Sequence, residues 1–268
     1  MVGLQNIESW FKKYEGTITA FSGGIDSALV LYLSRIYLGK ERTLGVISAS
    51  ESLKDQDYII AVDFCKRHDI KLITVKTKEL LDDNYNTNPS NRCYFCKTHL
   101  YTELKMVKDK YPGFEILNGT NKDDFKDYRP GLIAANENNI KSPLVDLNFS
   151  KEDIRELAKY FNLEIWNKPA SPCLSSRVPY GEKITAVKLK QIENAEGILN
   201  SFGFDVVRVR HYGEFCKIEV PKNRLIELQN QFKEIYILII RIGFKDCFID
   251  EQGLVSGNLN KALRLKDE

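Results

Sequence analysis

The chain has 268 residues, 43% apolar and 28% charged, enough for one large or two smaller folded domains and far from the disordered regime. Its 39 Lys and Arg against 37 Asp and Glu leave a net charge of +2, which excludes a global field for nucleic acid or an anionic membrane but permits a local anion site. The longest apolar run, 235–240, is too short to cross a bilayer, and residues 1–16 lack the apolar core of a secretory signal, so the expectation is a cytoplasmic protein with no membrane partner.

Strand-like and helix-like segments alternate through the first half. Residues 17–21 form a short apolar run that stops at Gly23-Gly24, and an apolar helical pattern follows up to Gly39. The next strand is expected over 43–48, a helix over 54–68, a third strand over 71–75, a polar loop over 82–92, a helix over 95–110 and a strand over 114–117. Strands separated by helices of this size imply βαβ units and a parallel sheet, in which ligands sit beyond the carboxyl ends of the strands. A helix over 151–161 is signed by Ser150 as N-cap with Asp153 as its capping-box partner. Three prolines then fall between Lys168 and Gly181, which excludes a regular element and places the domain junction there. Beyond it the pattern reads helix 185–201, strands 205–210 and 215–220, helix 222–231 and strand 245–249. The expected fold is α/β: a parallel-sheet nucleotide-binding domain over 1–168, a Pro-rich junction over 169–182, and a small α+β domain over 183–268 for substrate binding or oligomerisation.

The sharpest local signal is Ser22-Gly-Gly-Ile-Asp-Ser27, set between an apolar strand and a helix. Glycines let the backbone approach an anion closely, and the following helix turns unbonded N–H groups and the positive end of its dipole toward the same point. A simple turn capped by Ser22 or Asp26 is the bland alternative. The loop is not a Walker A sequence, since no Gly-Lys-Ser/Thr follows. It resembles the PP-loop of the ATP pyrophosphatase superfamily, whose members cleave ATP between the α- and β-phosphates and adenylate an oxygen of the substrate. Asn91-Arg-Cys-Tyr-Phe-Cys-Lys97, Gly119-Thr-Asn-Lys-Asp-Asp124, Asp127-Tyr-Arg-Pro-Gly131 and Pro172-Cys-Leu-Ser-Ser-Arg-Val-Pro-Tyr-Gly181 narrow the likeness. Together, from about Thr17 to beyond Arg210, these segments resemble the LarE family of sulfur transferases in nickel-pincer nucleotide synthesis.

The resemblance implies the reaction: ATP with Mg²⁺ adenylates a carboxylate of pyridinium-3,5-biscarboxylic acid mononucleotide, and sulfur then replaces the activated oxygen to give a thiocarboxylate. It also implies that Ser22, Gly23, Gly24, Asp26 and Ser27 hold the pyrophosphate end, that Ser48 and Ser50 contact adenosine, and that Gly119 and Asp123 lie near the nucleotide. A homo-oligomer, specifically a hexamer, is expected on the same ground.

Of the six cysteines, Cys93 and Cys96 form a Cys-x-x-Cys, and Cys173 lies in the Pro-rich junction. By itself such a pair reads as half a zinc site or a redox pair. His99 is nearby and is expected to be an exposed helix residue, while Cys65, Cys216 and Cys247 are expected in apolar core. The resemblance offers two sulfur mechanisms: a single sacrificial cysteine, here Cys173, or three cysteines holding a [4Fe–4S] cluster that passes on sulfide from an external source. The trio Cys93, Cys96 and Cys173 matches the second. Arg177, Arg208 and Arg210 are candidate contacts for the substrate's phosphate and carboxylates, because a guanidinium offers a planar fork to oxyanions. Two competing readings share part of this pattern. One is a PP-loop tRNA thiolation enzyme, against which the small net charge and the lack of a basic, aromatic-studded appended domain argue. The other is a nucleotide-binding regulator without catalysis.

Overall fold

The computed structural model describes residues 4–126 and 129–255, which divide into two compact units. Of the described residues, the first comprises 4–79, 93–126 and 129–171, and the second 80–92 and 172–255.

The first unit is built on four parallel strands, β1 (Gly16–Ala20), β2 (Thr43–Ser48), β3 (Lys71–Val75) and β4 (Phe114–Leu117), in the order β3-β2-β1-β4. Around them lie helices α1 (Leu4–Phe11), α2 (Ile25–Leu38), α3 (Asp55–Arg67), α5 (Arg92–Lys108, from its second residue onward), α6 (Gly131–Glu137), α7 (Pro143–Asp146) and α8 (Lys151–Tyr160). Every residue of β1 is buried, as a strand covered on both faces requires. One apolar cluster joins Ile47 and Leu117 to α1, α2, α3 and α8; the other joins Ile18, Leu44, Val46 and Ile116 to α5 and α6. The order reverses direction at β1, with β2 on one side and β4 on the other, so the loop after β1 opens at a topological switch point.

The second unit has a three-stranded sheet of β5 (Arg208–Tyr212), β6 (Phe215–Glu219) and β7 (Asp246–Ile249), with β5 antiparallel and β7 parallel to the central β6. Helices α4 (Asp83–Asn86), α9 (Ala186–Ser201) and α10 (Leu225–Arg241) complete it. Its own apolar core gathers Leu199, Phe204, Val209, Ile218, Leu228, Ile235 and Ile239.

Strands β2, β3 and β4 fall where the sequence places them, and both halves of the Ser150–Asp153 capping box form. Four expectations are corrected. The strand expected over 205–210 runs from Arg208 to Tyr212, because the hairpin closes at the pair Tyr212–Phe215 and sets the register from the turn. The helix expected to end at residue 231 continues to Arg241 through an isoleucine-rich run that favours a strand locally; Ile235 and Ile239, one turn apart, both pack into the core. The loop over 82–92 contains the short α4, N-capped by Asp82. His99, expected at the surface, is half-buried.

Candidate functional site

In the first unit the site forms around the turn after β1. The turn reverses at Gly23, whose φ of +70° lies in the left-handed region; a Cβ there would stand 2.9 Å from the Asp57 carbonyl oxygen. Helix α2 starts with Gly24 as N-cap and no side-chain cap, so its first N–H groups are not tied up by a capping side chain. The turn-capping alternative therefore does not hold. Instead the serines brace the loop. Ser27 Oγ donates to the Gly24 carbonyl (3.1 Å) and accepts from the Ser22 backbone N–H (3.2 Å), with Ser22 Oγ 3.1 Å away. Ser22 is exposed at the mouth of the turn. A strand end, a tight glycine turn and the uncapped start of a 14-residue helix make an anion cradle.

Asp26, in the first turn of α2, receives both oxygens' contacts from Lys151 Nζ at 2.6 Å, with Asn121 Nδ2 at 3.5 Å. Lys151 is the first residue of α8, and its backbone N–H donates to Asp123 (2.8 Å). The Lys126 ammonium and that N–H hold the Asp123 carboxyl below its ordinary range. Burial pushes the neighbouring Asp124 up, partly opposed by the Asn121 N–H and Arg129. Asp123 is thus placed as a brace on α8. Gly119 serves close packing: a Cβ would stand 2.5 Å from the Ser27 nitrogen, so only glycine lets the end of β4 pass this near the start of α2. At the ends of β2 and β3, Ser48 Oγ lies 2.6 Å from Thr77 Oγ1 and Ser50 Oγ 2.9 Å from Ser52 Oγ.

In the second unit, two of the three arginines are committed to buried carboxylates. Arg177, 2% exposed, donates to Glu196 (2.8 and 3.3 Å), to Ser176 Oγ (2.8 Å) and to the carbonyls of Pro172 (2.7 Å) and Cys173 (3.2 Å). Arg210 donates to both Glu219 oxygens at 2.9 Å and to the Ser176 carbonyl at 2.7 Å. Their forks hold the 172–176 turn in place. Arg208 is half-buried; burial and the nearby Arg177 and Arg210 push its pKa down. Close by, the Tyr85 hydroxyl lies 2.6 Å from Ser175 Oγ, and Asn88 Nδ2 donates to the carbonyls of Val178 and Pro179.

The cysteines divide by exposure. Cys65, Cys216 and Cys247 are buried at 2% or less, as core thiols should be, whereas Cys93 and Cys173 are exposed and Cys96 half-buried. None of the six forms a disulfide among the described residues. Cys93 and Cys96 stand three apart in the first two turns of α5, hence on one side of it; Cys173 precedes the 3-10 turn Leu174–Arg177.

A family model for NAD synthase matches residues 6–108. A pyridinium-3,5-bisthiocarboxylic acid mononucleotide synthase of Lactiplantibacillus plantarum is 33% identical over 252 residues, covering 94% of this chain and 91% of that protein. An uncharacterised protein of Synechocystis is 36% identical with 97% of each chain covered, and an NH3-dependent NAD+ synthetase of Thermotoga maritima is 26% identical over 60% of this chain and 72% of its own. The chain belongs to the LarE family of PP-loop ATP pyrophosphatases.

Membership in the LarE family supports an ATP-using enzymatic activity, and the PP-loop geometry agrees with it. Among the described residues, no helix is long and apolar enough to cross a membrane. Nor do three or more His, Cys, Asp and Glu side chains gather there to hold a metal ion. Cys93 and Cys96 belong to the first unit and Cys173 to the second. The donor chemistry of these three thiols suits iron and sulfide. Asp127 and Tyr128, part of the family-like sequence, lie outside the described residues.

Lys151, Lys168, Asp57, Glu196 and Glu219 escape a sequence reading. The lysine after the Ser150 cap could have signalled a cation at a helix start, where the dipole disfavours it and a function must compensate. The glutamates carry no sequence signal, since each meets its arginine only through tertiary packing.

Proposed function

We propose that this LarE-family protein is an ATP-dependent sulfurtransferase acting on pyridinium-3,5-biscarboxylic acid mononucleotide. The observation that carries the proposal is the uncapped, serine-braced cradle at Gly23-Gly24 in a chain 33% identical, over nearly its whole length, to a mononucleotide thiocarboxylate synthase.

The loop N–H groups and the Ser22 and Ser27 hydroxyls bind the β- and γ-phosphates, with Ser48 and Ser50 toward the adenosine. Lys151 exchanges Asp26 for phosphate oxygens as ATP enters, leaving the carboxylate to help hold Mg²⁺, which offsets the charge of the leaving pyrophosphate. A substrate carboxylate oxygen attacks the α-phosphorus; the bond between the α-phosphorus and its bridging oxygen breaks, and pyrophosphate leaves. Hydrosulfide then adds to the acyl carbon of the mixed anhydride and expels AMP, so one oxygen is replaced by sulfur and no electrons change hands. Arg208 supplies the open guanidinium for substrate oxyanions, and Arg177 and Arg210 act through the turn they hold.

For the sulfur we propose that Cys93, Cys96 and Cys173 hold a [4Fe–4S] cluster; when bound, it offers an iron without a protein ligand to which hydrosulfide can bind. The three thiols accessible in the structure are the three this reading needs. A homo-oligomer is proposed on the family resemblance.

Incubation of anaerobically prepared protein with ATP, Mg²⁺, sulfide and the mononucleotide tests the reading. It should release pyrophosphate only with substrate present and yield product in which one oxygen is exchanged for sulfur. Asp26→Asn should lose that pyrophosphate release with its fold intact. Thiolated tRNA with an unreacted mononucleotide would instead identify a tRNA enzyme. Cys93→Ala should lose iron and turnover while still adenylating. Full turnover without iron, with Cys173 losing its sulfur once per chain, would replace the cluster by the sacrificial mechanism.

A further inference from the structure

Residues 165–171 form a strap that carries the chain from α8 toward Cys173, and its anchoring is not explained by the chemistry above. Lys168 Nζ donates to the carbonyl of Gly23 at 2.7 Å and pairs with Asp57 Oδ1 at 2.8 Å. Three residues on, Ser171 Oγ donates to the other oxygen of the same carboxylate at 2.7 Å. The side chains of Lys168 and Asp57 are only 14% and 11% exposed. Arg155 of α8 holds the strap's backbone from the other side, donating to the carbonyls of Trp166 (3.1 Å) and Lys168 (3.4 Å). Pro169 and Pro172 restrict the chain between and beyond these anchors.

Asp57 is therefore shared. One oxygen takes the lysine that also grips the nucleotide turn, and the other takes the serine two residues before the exposed cysteine. The turn itself abuts α3 at the same point, where a Cβ on Gly23 would meet the Asp57 carbonyl oxygen. A bound phosphate fixes the peptides around Gly23, and fixing that carbonyl fixes the acceptor that Lys168 uses. Coupling of this kind is reciprocal, so whatever orders the strap must also favour the nucleotide.

We infer that Lys168 is a positioning residue that, with Asp57 and Ser171, transmits occupancy of the ATP loop to the strap leading into Cys173. The inference rests on the reading of the loop as a nucleotide site. In the reaction sequence it means that the thiol segment is ordered when ATP is present and loosens once the nucleotide products leave.

Hydrogen exchange of the amides from Trp166 to Ser171 tests this, with and without saturating α,β-methylene-ATP, an analogue not cleaved between those phosphates. In the unaltered protein the analogue should slow exchange in the strap. Lys168→Met should bind the analogue about tenfold more weakly, the loss of one charge-assisted contact, and at saturation show no slowing. Lys168→Arg, which can still reach both acceptors, should restore the slowing. Ser171→Ala, which leaves the Lys168 contact to Gly23 in place, should weaken analogue binding by less than Lys168→Met does and lose the slowing at residues 170–171. The last two variants keep the test decisive if the methionine variant does not fold. Analogue binding without a change in strap exchange, or normal slowing in Lys168→Met, overturns the inference alone. Failure of the unaltered protein to bind the analogue overturns the nucleotide reading and the inference with it.

Discussion

His211 sits in β5 with 1% of its surface exposed, Nδ1 accepting from the Gly213 N–H and Nε2 within 3.1 Å of Gln191. Burial chiefly, with Lys188 nearby and against the pull of Glu182, pushes its pKa from 6.5 down to about 4. The folded state holds the ring neutral while the unfolded chain protonates it at its ordinary value. The stability this contributes is fully present above 6.5 and is lost as pH falls through about 4. The loss approaches about 3 kcal/mol. Melting temperature against pH should therefore fall over that window, and His211→Gln should flatten the fall. A parallel slope in the variant would assign the acid sensitivity elsewhere. The arginines separate in the same manner. Arg210→Ala removes the two-pronged partner of the buried Glu219 carboxylate and should show as a lowered melting temperature. Arg208→Ala removes no hydrogen-bonded partner among the described residues, so it should weaken binding of the mononucleotide while the melting temperature holds. Equal losses of stability in both would sink the proposed role of Arg208.

Among the elements, the parallel sheet carries an unspent margin. Thr17 and Thr19 of β1 are fully buried, and neither hydroxyl has a hydrogen-bond partner among the described residues. Replacing a stranded buried hydroxyl by a methyl group of similar shape removes a desolvation cost, so Thr19→Val should stabilise by about 1 kcal/mol, read from denaturant midpoints. A destabilised variant would mean the hydroxyl has a partner in solution. Gly119→Ala acts in the opposite sense. Its methyl group meets backbone at the start of α2, which cannot swing aside as a side chain would, so affinity for a non-cleavable ATP analogue should drop. Unchanged affinity would refute the close-packing role. These elements also show what a sequence can carry. Apolar runs and capping residues act locally, so β2, β3, β4 and the start of α8 were legible. The length of α10 was not, because an isoleucine-rich segment becomes helical only when a core takes up its buried face. The glycine turn from Ser22 to Ser27 was legible because its strand–turn–helix pattern sits in contiguous residues. The brace that Arg177 makes was not legible, because its partner Glu196 is nineteen positions away.

On the scale of the molecule, two separate apolar systems underlie the two units: the pair of clusters flanking the parallel sheet and the single cluster of the C-terminal sheet and helices. Groups that bind protons or ligands stabilise the cooperative unit that contains them, and local opening energies report that unit. His211 belongs to the second unit, and the turn after β1, the proposed phosphate site, belongs with Asp26 and Lys151 to the first. Acid below 6.5 should therefore raise sub-global exchange, corrected for the intrinsic pH dependence, at amides of β5, β6, α9 and α10 before those of β1 to β4. A non-cleavable ATP analogue should do the reverse, protecting the start of α2, residues 118–124 and the start of α8 with little effect on β6. Site-resolved hydrogen exchange distinguishes the two patterns in one sample series. If acid and nucleotide instead shift every slow amide by the same factor, the chain opens as a single unit, and the assignment of proton and nucleotide linkage to separate units fails. Where the patterns do separate, the covalent strap ending at Ser171 is the described segment through which nucleotide protection should extend furthest toward Cys173.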